Sequence, residues 1–207
     1  MRLVFIGPQG SGKGTQAKII SQVLNVPHIS TGDLLRNAQG ELRVKIDSFI
    51  LNGRLVPDEL ISEILKERIS KSDCKKGFIL DGFPRNLSQA DELEKSNEID
   101  KYFEIFIDDE EAIWRLSGRW NCKNCGAIYN VNTSPKPLVN GKCDKCDGDL
   151  SQREDDKVEA IKKRLEIYHN ETEPILEKYD IIRINGRQKI DKVTHDILEQ
   201  IDRVNEN

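Results

Sequence analysis

The chain has 207 residues, enough to bury one full core with insertions. Its formal net charge of −4, from 32 Lys+Arg against 36 Asp+Glu, argues against the positive footprint of a nucleic-acid binder. No apolar run approaches the ~18 residues of a membrane span.

The apolar run at residues 3–6 reads as a buried strand, and G-P-Q-G-S-G-K-G-T follows it from Gly7 to Thr15. Gly7, Gly10, Gly12 and Gly14 let the backbone turn several N–H groups toward one point, and the helix expected over residues 14–24 aims its positive end at the same place. Lys13 adds a mobile cation. The spacing is that of a phosphate-cradling loop, except that Gly14 separates Lys13 from the hydroxyl of Thr15. Because the first strand starts at Arg2, no signal or transit segment is expected, and the cysteine usage described below suits a reducing compartment. The expectation is a cytoplasmic chain.

Further along, apolar runs at 26–29, 78–80, 102–107 and 181–184 read as strands. Helical patterns fall at 34–37, 42–51, 58–70, 87–95, 110–117, 155–179 and 189–204. Strand–helix alternation predicts an α/β fold: a five-stranded parallel sheet between two helical layers, with ligands at the carboxyl ends of the strands. Two segments break the rhythm. One is a helical insert at 30–56; the other, at 118–156, is rich in Cys, Asn, Lys, Gly and Pro.

Within that second insert, Cys122-x2-Cys125 and Cys143-x2-Cys146 have zinc-ribbon spacing, with Gly126 and Gly148 placed to ease the two turns. Four thiolates complete a tetrahedral ion and leave no position for a reactive water, so the metal is structural. Zinc is the expected ion, with iron the alternative for a four-thiolate site. Cys74 stands alone, and His28, His169 and His195 have no ligand spacing; core or surface roles are expected for them.

Arg36, Arg85, Arg119, Arg153 and Arg164 fall near strand ends or insert boundaries, where guanidinium forks can grip phosphate oxygens. Two of them close short glycine-bearing motifs, Thr31-Gly-Asp-Leu-Leu-Arg36 and Asp81-Gly-Phe-Pro-Arg85. Asp81 ends an apolar strand, where a carboxylate can meet Mg²⁺ or its waters.

Together these segments resemble the adenylate kinase family along nearly the whole chain. The phosphate loop from Gly10 to Gln16 is similar to that family's, including Gly14. Thr31 to Arg36 resembles the start of its monophosphate-binding insert, and Arg54-Leu55-Val56-Pro57-Asp58-Glu59 the end of it. Asp81 to Arg85 is similar to the family signature, with Gln89 where its base-reading glutamine falls. Arg119 and Arg153-x-Asp-Asp156 resemble the two ends of the lid, and the cysteines between them the long, zinc-holding form.

The resemblance implies a P-loop nucleoside monophosphate kinase with a core at 1–29, 57–117 and 157–207, a monophosphate-binding insert at 30–56 and a zinc-binding lid at 118–156. It implies reversible, Mg²⁺-dependent transfer between ATP and AMP to give two ADP. It places Gly10, Ser11, Gly12, Lys13, Gly14, Thr15, Arg119, Ile128, Tyr129 and Gln188 around ATP, and Thr15 and Asp81 at Mg²⁺. Thr31, Arg36, Arg54, Leu55, Val56, Gly82, Phe83, Pro84, Arg85, Gln89, Arg153 and Arg164 would bind AMP, and Lys13, Arg85, Arg119, Arg153 and Arg164 would act on the transferring group. Three departures stand out. Pro8 precedes Gln9 where the family's proline more often comes one place later. The monophosphate insert is short after Arg36, and Asn86 stands where adenylate kinases usually carry Thr and uridylate/cytidylate kinases carry Asn.

A reading from another class is a nucleotide switch whose ribbon binds nucleic acid or protein. Only Trp120 and Tyr129 could stack bases there, a thin platform. The expectation is an ATP/AMP/ADP partner set, no nucleic acid, no membrane and a monomer.

Overall fold

The computed structural model describes residues 1–50, 56–96 and 98–205. In chain order the elements are β1 (Arg2–Ile6), α1 (Lys13–Leu24), β2 (His28–Ser30), α2 (Thr31–Arg36), α3 (Gly40–Ile50), α4 (Asp58–Ile69), β3 (Phe78–Asp81), α5 (Leu87–Ser96), β4 (Lys101–Phe106) and α6 (Asp109–Ser117). There follow β5 (Arg119–Cys122), β6 (Ile128–Asn130), β7 (Leu150–Ser151), α7 (Val158–Ile167), α8 (Ile175–Lys178), β8 (Ile181–Asn185) and α9 (Ile190–Asn205).

The five-stranded sheet runs β2-β3-β1-β4-β8 with every pair parallel. Burial on both faces explains why its strands read as continuous apolar runs and not as alternating ones. In β1 the pleat sends Leu3 and Phe5 toward Ala17, Ile20, Phe103 and Ile197, and Val4 and Ile6 toward Ile29, Leu80, Phe83 and Ile175. On α9, Val193, Ile197 and Ile201 recur every fourth residue, so one stripe of the helix covers the first of these faces. The strand order reverses beside β1, and the loop after β1 opens at that switch point.

The observed elements depart from the sequence reading in three informative ways. The second strand begins at His28, two residues later than expected, because Pro27 has no N–H to give to a ladder; its carbonyl accepts from Ile79 N–H at 2.9 Å instead. The helix expected over 155–179 is not continuous. Asp155 and Asp156 belong to a 3-10 turn (Glu154–Asp156), α7 then runs to Ile167, and a π-helical turn (Tyr168–Thr172) and Pro174 precede α8. Pro174 cannot donate back along a helix, so the chain turns there. The break aims Thr172 across the molecule, and its Oγ1 donates to the Arg85 carbonyl at 2.7 Å. Finally, β5, β6 and β7 form an antiparallel sheet in the order β6-β5-β7. These strands, four, three and two residues long, are too short to show a period in the sequence.

The centre of the sheet generates the first prediction. Phe103 is fully buried and meets Phe5 edge-on, with ring centroids 5.6 Å apart. Phe103→Ala is expected to lower the unfolding free energy by ~3–5 kcal/mol in chemical denaturation, and a loss below ~1 kcal/mol would contradict this packing.

Candidate active site

The phosphate loop has the geometry of an anion cradle. Gly12 precedes α1 in a left-handed conformation, and no side chain among the described residues caps the helix. The first-turn N–H groups of a 12-residue helix therefore point outward without an internal partner. Inside the loop, Ser11 Oγ and Gln9 Oε1 are buried and have no hydrogen-bond partner among the described residues. A polyanion seated there would accept from the Ser11 hydroxyl, whereas the Gln9 oxygen can only accept and needs a donor. Gly14 is explained by space: a Cβ on it would lie 2.9 Å from Asp81 Oδ2. The missing side chain lets α1 pass against the carboxylate that ends β3.

His28 was read as a core or surface residue, yet its Nε2 faces Asp81 Oδ2 at 3.5 Å. Its place in β2, the neighbour of β3, brings the two together, and no local spacing in the sequence announces it. Burial alone would raise the Asp81 carboxyl, but His28 and then Lys13 outweigh that and hold it below the usual carboxylate range.

Cations converge on the same cleft from several separate segments. The Lys13 ammonium, whose Nζ donates to Pro8 O at 3.3 Å, is lowered to about 8. Burial is the main cause; Asp81 opposes it, and Arg85, Arg164 and Arg119 add repulsion. Arg85 Nε donates to Gly82 O at 2.8 Å, which turns the guanidinium toward the cleft, and Arg36 lies within its electrostatic reach. Arg36 itself pairs with Asp33 at 2.7 Å. Arg119, the first residue of β5, makes a two-pronged bond to Asp156 at 2.8 and 2.6 Å, and the Asp156 side chain is wholly buried. Arg164, on α7, reaches Asp155 Oδ2 at 3.0 Å and Asp156 Oδ1 at 3.7 Å. Arg153 donates to Asn121 Oδ1 at 3.1 Å. Asp155 and Asp156 were seen in the sequence only as companions of Arg153; the structure makes them the counter-charges of Arg119 and Arg164.

On the other side of the cleft, Thr31 Oγ1 donates to Gly82 O at 2.8 Å and joins α2 to the loop after β3. Gln89 is buried at the first turn of α5. Its Oε1 accepts from Arg85 N–H at 2.8 Å and its Nε2 donates to Asp58 Oδ1 at 2.7 Å. Phe83 and Pro84 are buried, while Val56 is half-buried. Arg54 and Leu55 lie outside the described residues. A cavity of about 340 Å³ borders Gln89, but Asp58, Glu59, Glu63 and Glu92 line it against the single cation Lys66. That wall repels phosphate, so the anion site is the cation-lined cleft.

Two residues expected near a nucleoside are partly engaged elsewhere. Tyr129 is buried with its hydroxyl at Cys143 Sγ (3.5 Å) and accepting from Asp144 N–H (2.8 Å), and its backbone pairs with Trp120 in the ladder, which leaves the exposed Ile128 beside it for a ligand. Its burial also removes one of the two rings that could have stacked on a base. Gln188 sits in the turn after β8, its Nε2 donating to Asn185 O and Asp196 Oδ2 at 3.1 and 2.8 Å.

The four paired cysteines meet. Their Sγ atoms all lie within 4.8 Å of one another, with Cys122–Cys146 at 3.4 Å and Cys125–Cys143 at 3.6 Å. A tetrahedral Zn²⁺ with ~2.3 Å bonds needs sulfurs about 3.8 Å apart, so the set fits that ion. The Tyr129 hydroxyl, and then backbone N–H groups of the second turn, lower the Cys143 thiol to about 6; backbone N–H groups of the first turn lower Cys122. The two turns differ from expectation in one respect. Gly126 carries the left-handed turn of the first pair (φ 70), but Asp147 carries that of the second (φ 56). Gly148 is needed for close approach instead: a Cβ there would sit 3.0 Å from Cys122 Sγ.

Comparison with known proteins agrees with this geometry. A family model described as "Adenylate kinase" matches residues 5–184. The chain is 46% identical to a protein named adenylate kinase from Thermosipho africanus, covering 98% of this chain and 100% of the relative. It is also 46% identical to proteins of that name from Caldicellulosiruptor bescii (97% and 99% covered) and Methanocella arvoryzae (95% and 96% covered).

The crowded Lys13 predicts a proton linkage. Its pKa in the folded chain is about 8 against 10.5 in an unfolded one, so between those values the unfolded chain binds more protons. Lys13 thus opposes folding below pH 8, and this cost is relieved as pH rises from 8 toward 10.5. An anion bound in the cradle pulls the pKa back up. Calorimetry with inorganic tripolyphosphate at pH 8.5, in buffers of different ionisation enthalpy, should record uptake of a fraction of a proton, and Lys13→Met should abolish it. Equal heats in all buffers would contradict the assignment.

Proposed function

The chain belongs to the adenylate kinase family, and from that premise we propose how its residues divide the work. The reaction is reversible phosphoryl transfer, ATP + AMP = 2 ADP. One observation supports the residue map: Arg85, Arg119 and Arg164, from three other segments, all stand within electrostatic reach of Lys13. The acceptor is already an anion, so no general base is needed. What the site must supply is alignment of two polyanions and neutralisation of the charge between them.

In this reading Gly10, Ser11, Gly12, Lys13, Gly14 and Thr15 cradle the ATP phosphates, and Lys13 reaches the transferring group. Adenylate kinases use Mg²⁺ with ATP, and Thr15 and Asp81 are the residues that would hold it or its waters. Arg119 clamps ATP from the lid, with Ile128, Tyr129 and Gln188 toward its nucleoside. Thr31, Arg36, Val56, Gly82, Phe83, Pro84, Arg85 and Gln89 take AMP, Arg36 and Arg85 at its phosphate. Arg153 and Arg164 bridge the two nucleotides from the far end of the lid. The resemblance adds Arg54 and Leu55 to the AMP side.

The segment at 118–156 acts as the lid, that at 30–56 as the monophosphate-binding insert and the remainder as the core. Closing the lid excludes water, which would otherwise accept the phosphoryl group, and delivers the lid arginines. Bound Zn²⁺ would cross-link Cys122, Cys125, Cys143 and Cys146 and stiffen a segment too small to build much core of its own. We assign the protein as a cytoplasmic monomer without nucleic-acid or membrane partners. Its net negative charge gives it no positive footprint for nucleic acid, and among the described residues no helix is long and apolar enough to cross a membrane.

A coupled assay with ATP against AMP, CMP, UMP and GMP should show AMP as the preferred acceptor. Arg85→Ala should lower kcat/KM for AMP about 100-fold or more. Normal turnover in that variant would sink the residue map. Stripping the metal with a chelator should unfold the lid, seen as fast hydrogen exchange between Cys122 and Cys146, at a temperature where the core stays protected. If lid protection and activity both survive metal loss, the structural zinc is wrong.

A further inference from the structure

Four hydrogen bonds around Gln89 form a chain with no freedom of orientation. Asn86 Oδ1 accepts from Gln89 N–H at 2.9 Å, capping α5. Asn86 Nδ2 donates to Asp58 Oδ2 at 2.6 Å. Asp58 Oδ1 accepts from Gln89 Nε2 at 2.7 Å, and Gln89 Oε1 accepts from Arg85 N–H at 2.8 Å. A carboxylate only accepts and a backbone N–H only donates, so neither amide can flip without losing two bonds.

We propose that Asp58, held by Asn86, is a positioning residue that fixes the Gln89 amide and thereby selects the acceptor base. The proposal rests on the reading of Gln89 as the base-facing residue. With one N–H and one lone pair occupied, the Gln89 amide keeps one donor on Nε2 and one acceptor on Oε1. Adenine offers a matching pair, an unprotonated N1 and an N6 amino group. Hypoxanthine and guanine present the reverse, a protonated N1 and a carbonyl at C6. They can be read only by the flipped amide, which would set Oε1 against Asp58 and Nε2 against the Arg85 N–H. Selection of this kind works through groups left unpaired by the wrong base. It also gives Asn86 a role that Thr would fill less firmly: Asn caps α5 with its oxygen and reaches Asp58 with a separate N–H, whereas Thr must serve both with one shorter hydroxyl.

The pair AMP and IMP tests the idea, since they differ only at the C6 group and the N1 proton. Asp58→Ala is expected to raise KM for AMP and to lower the AMP-over-IMP ratio of kcat/KM about tenfold, while KM for ATP changes less than about twofold. Asn86→Thr, which keeps a cap and serves if Asp58→Ala does not fold, should lower the same ratio by a smaller factor. Gln89→Ala is the control. If it collapses the ratio while Asp58→Ala, or Asn86→Thr in its place, leaves the ratio unchanged, the positioning role is overturned and Gln89 still reads the base. If Gln89→Ala itself leaves KM for AMP and the ratio unchanged, the base-facing assignment fails and the proposal fails with it.

Discussion

The structure depends on keeping several positive charges close together. Lys13 feels the repulsion directly, since Arg85, Arg164 and Arg119 all lower its pKa. Left to themselves these groups would move apart into water. Three rigid elements prevent it: the switch point of a fully buried parallel sheet, the loop after β3 tied by Thr31 and Thr172, and the start of β5 at the lid. With the cations gathered in advance, only the proposed lid has to move when a polyphosphate arrives, and such preorganisation is the largest lever on a reaction that moves charge between two anions.

Lys13, Arg119 and Arg164 each also face a counter-charge, and the choice of partner divides them by role. Asp81, buried beside His28, faces Lys13 and belongs to the sheet. Asp155 and Asp156 hold Arg164 and Arg119 at the base of the lid, in a 3-10 turn that opens toward α7. In the proposed lid, Arg119 is thus anchored at its base and not at its tip. Breaking a buried pair such as Arg119–Asp156 is costly, so the natural way to move the lid is as a unit about this anchor. A four-thiolate metal site near the far end of β5 fits that need, because the lid's own core consists of little more than Tyr129, Leu150 and two cysteines.

Much of this was legible in the chain because the chemistry is local. The phosphate loop, the Asp81–Arg85 turn and the cysteine pairs each occupy a few consecutive residues, and each is built by its own turn geometry. The layer order of the sheet was legible for a different reason: strands buried on both faces leave unbroken apolar runs. What was not legible depends on contacts between distant positions. His28 meets Asp81 only because β2 pairs with β3, and Asp58 meets Gln89 only because α4 packs beside the start of α5. The helix expected over 155–179 failed at a residue visible in the sequence, Pro174, because strong helical patterns on both sides concealed the break. Gly14, in contrast, could be seen as a family marker but not explained. Its cause is the carboxylate of Asp81, more than sixty residues away in the chain.

Charge and base reading are kept apart for a physical reason. A cluster of guanidinium and ammonium groups attracts any nucleotide and is indifferent to the base it carries. Discrimination has to come from neutral groups whose geometry is fixed before the ligand arrives, since a free amide rotates to suit either purine pattern. On the proposed reading of Gln89 as the base-facing residue, the fold provides this by burying Gln89 at a helix start and bonding both ends of its amide to the chain. One of those ends is the Arg85 backbone N–H, and the Arg85 side chain belongs to the cation cluster. The same residue therefore ties the position of the phosphate grip to that of the base reader. A monophosphate that fits one but not the other is held out of line, and for a transfer that requires two phosphates in line, misalignment is itself the penalty.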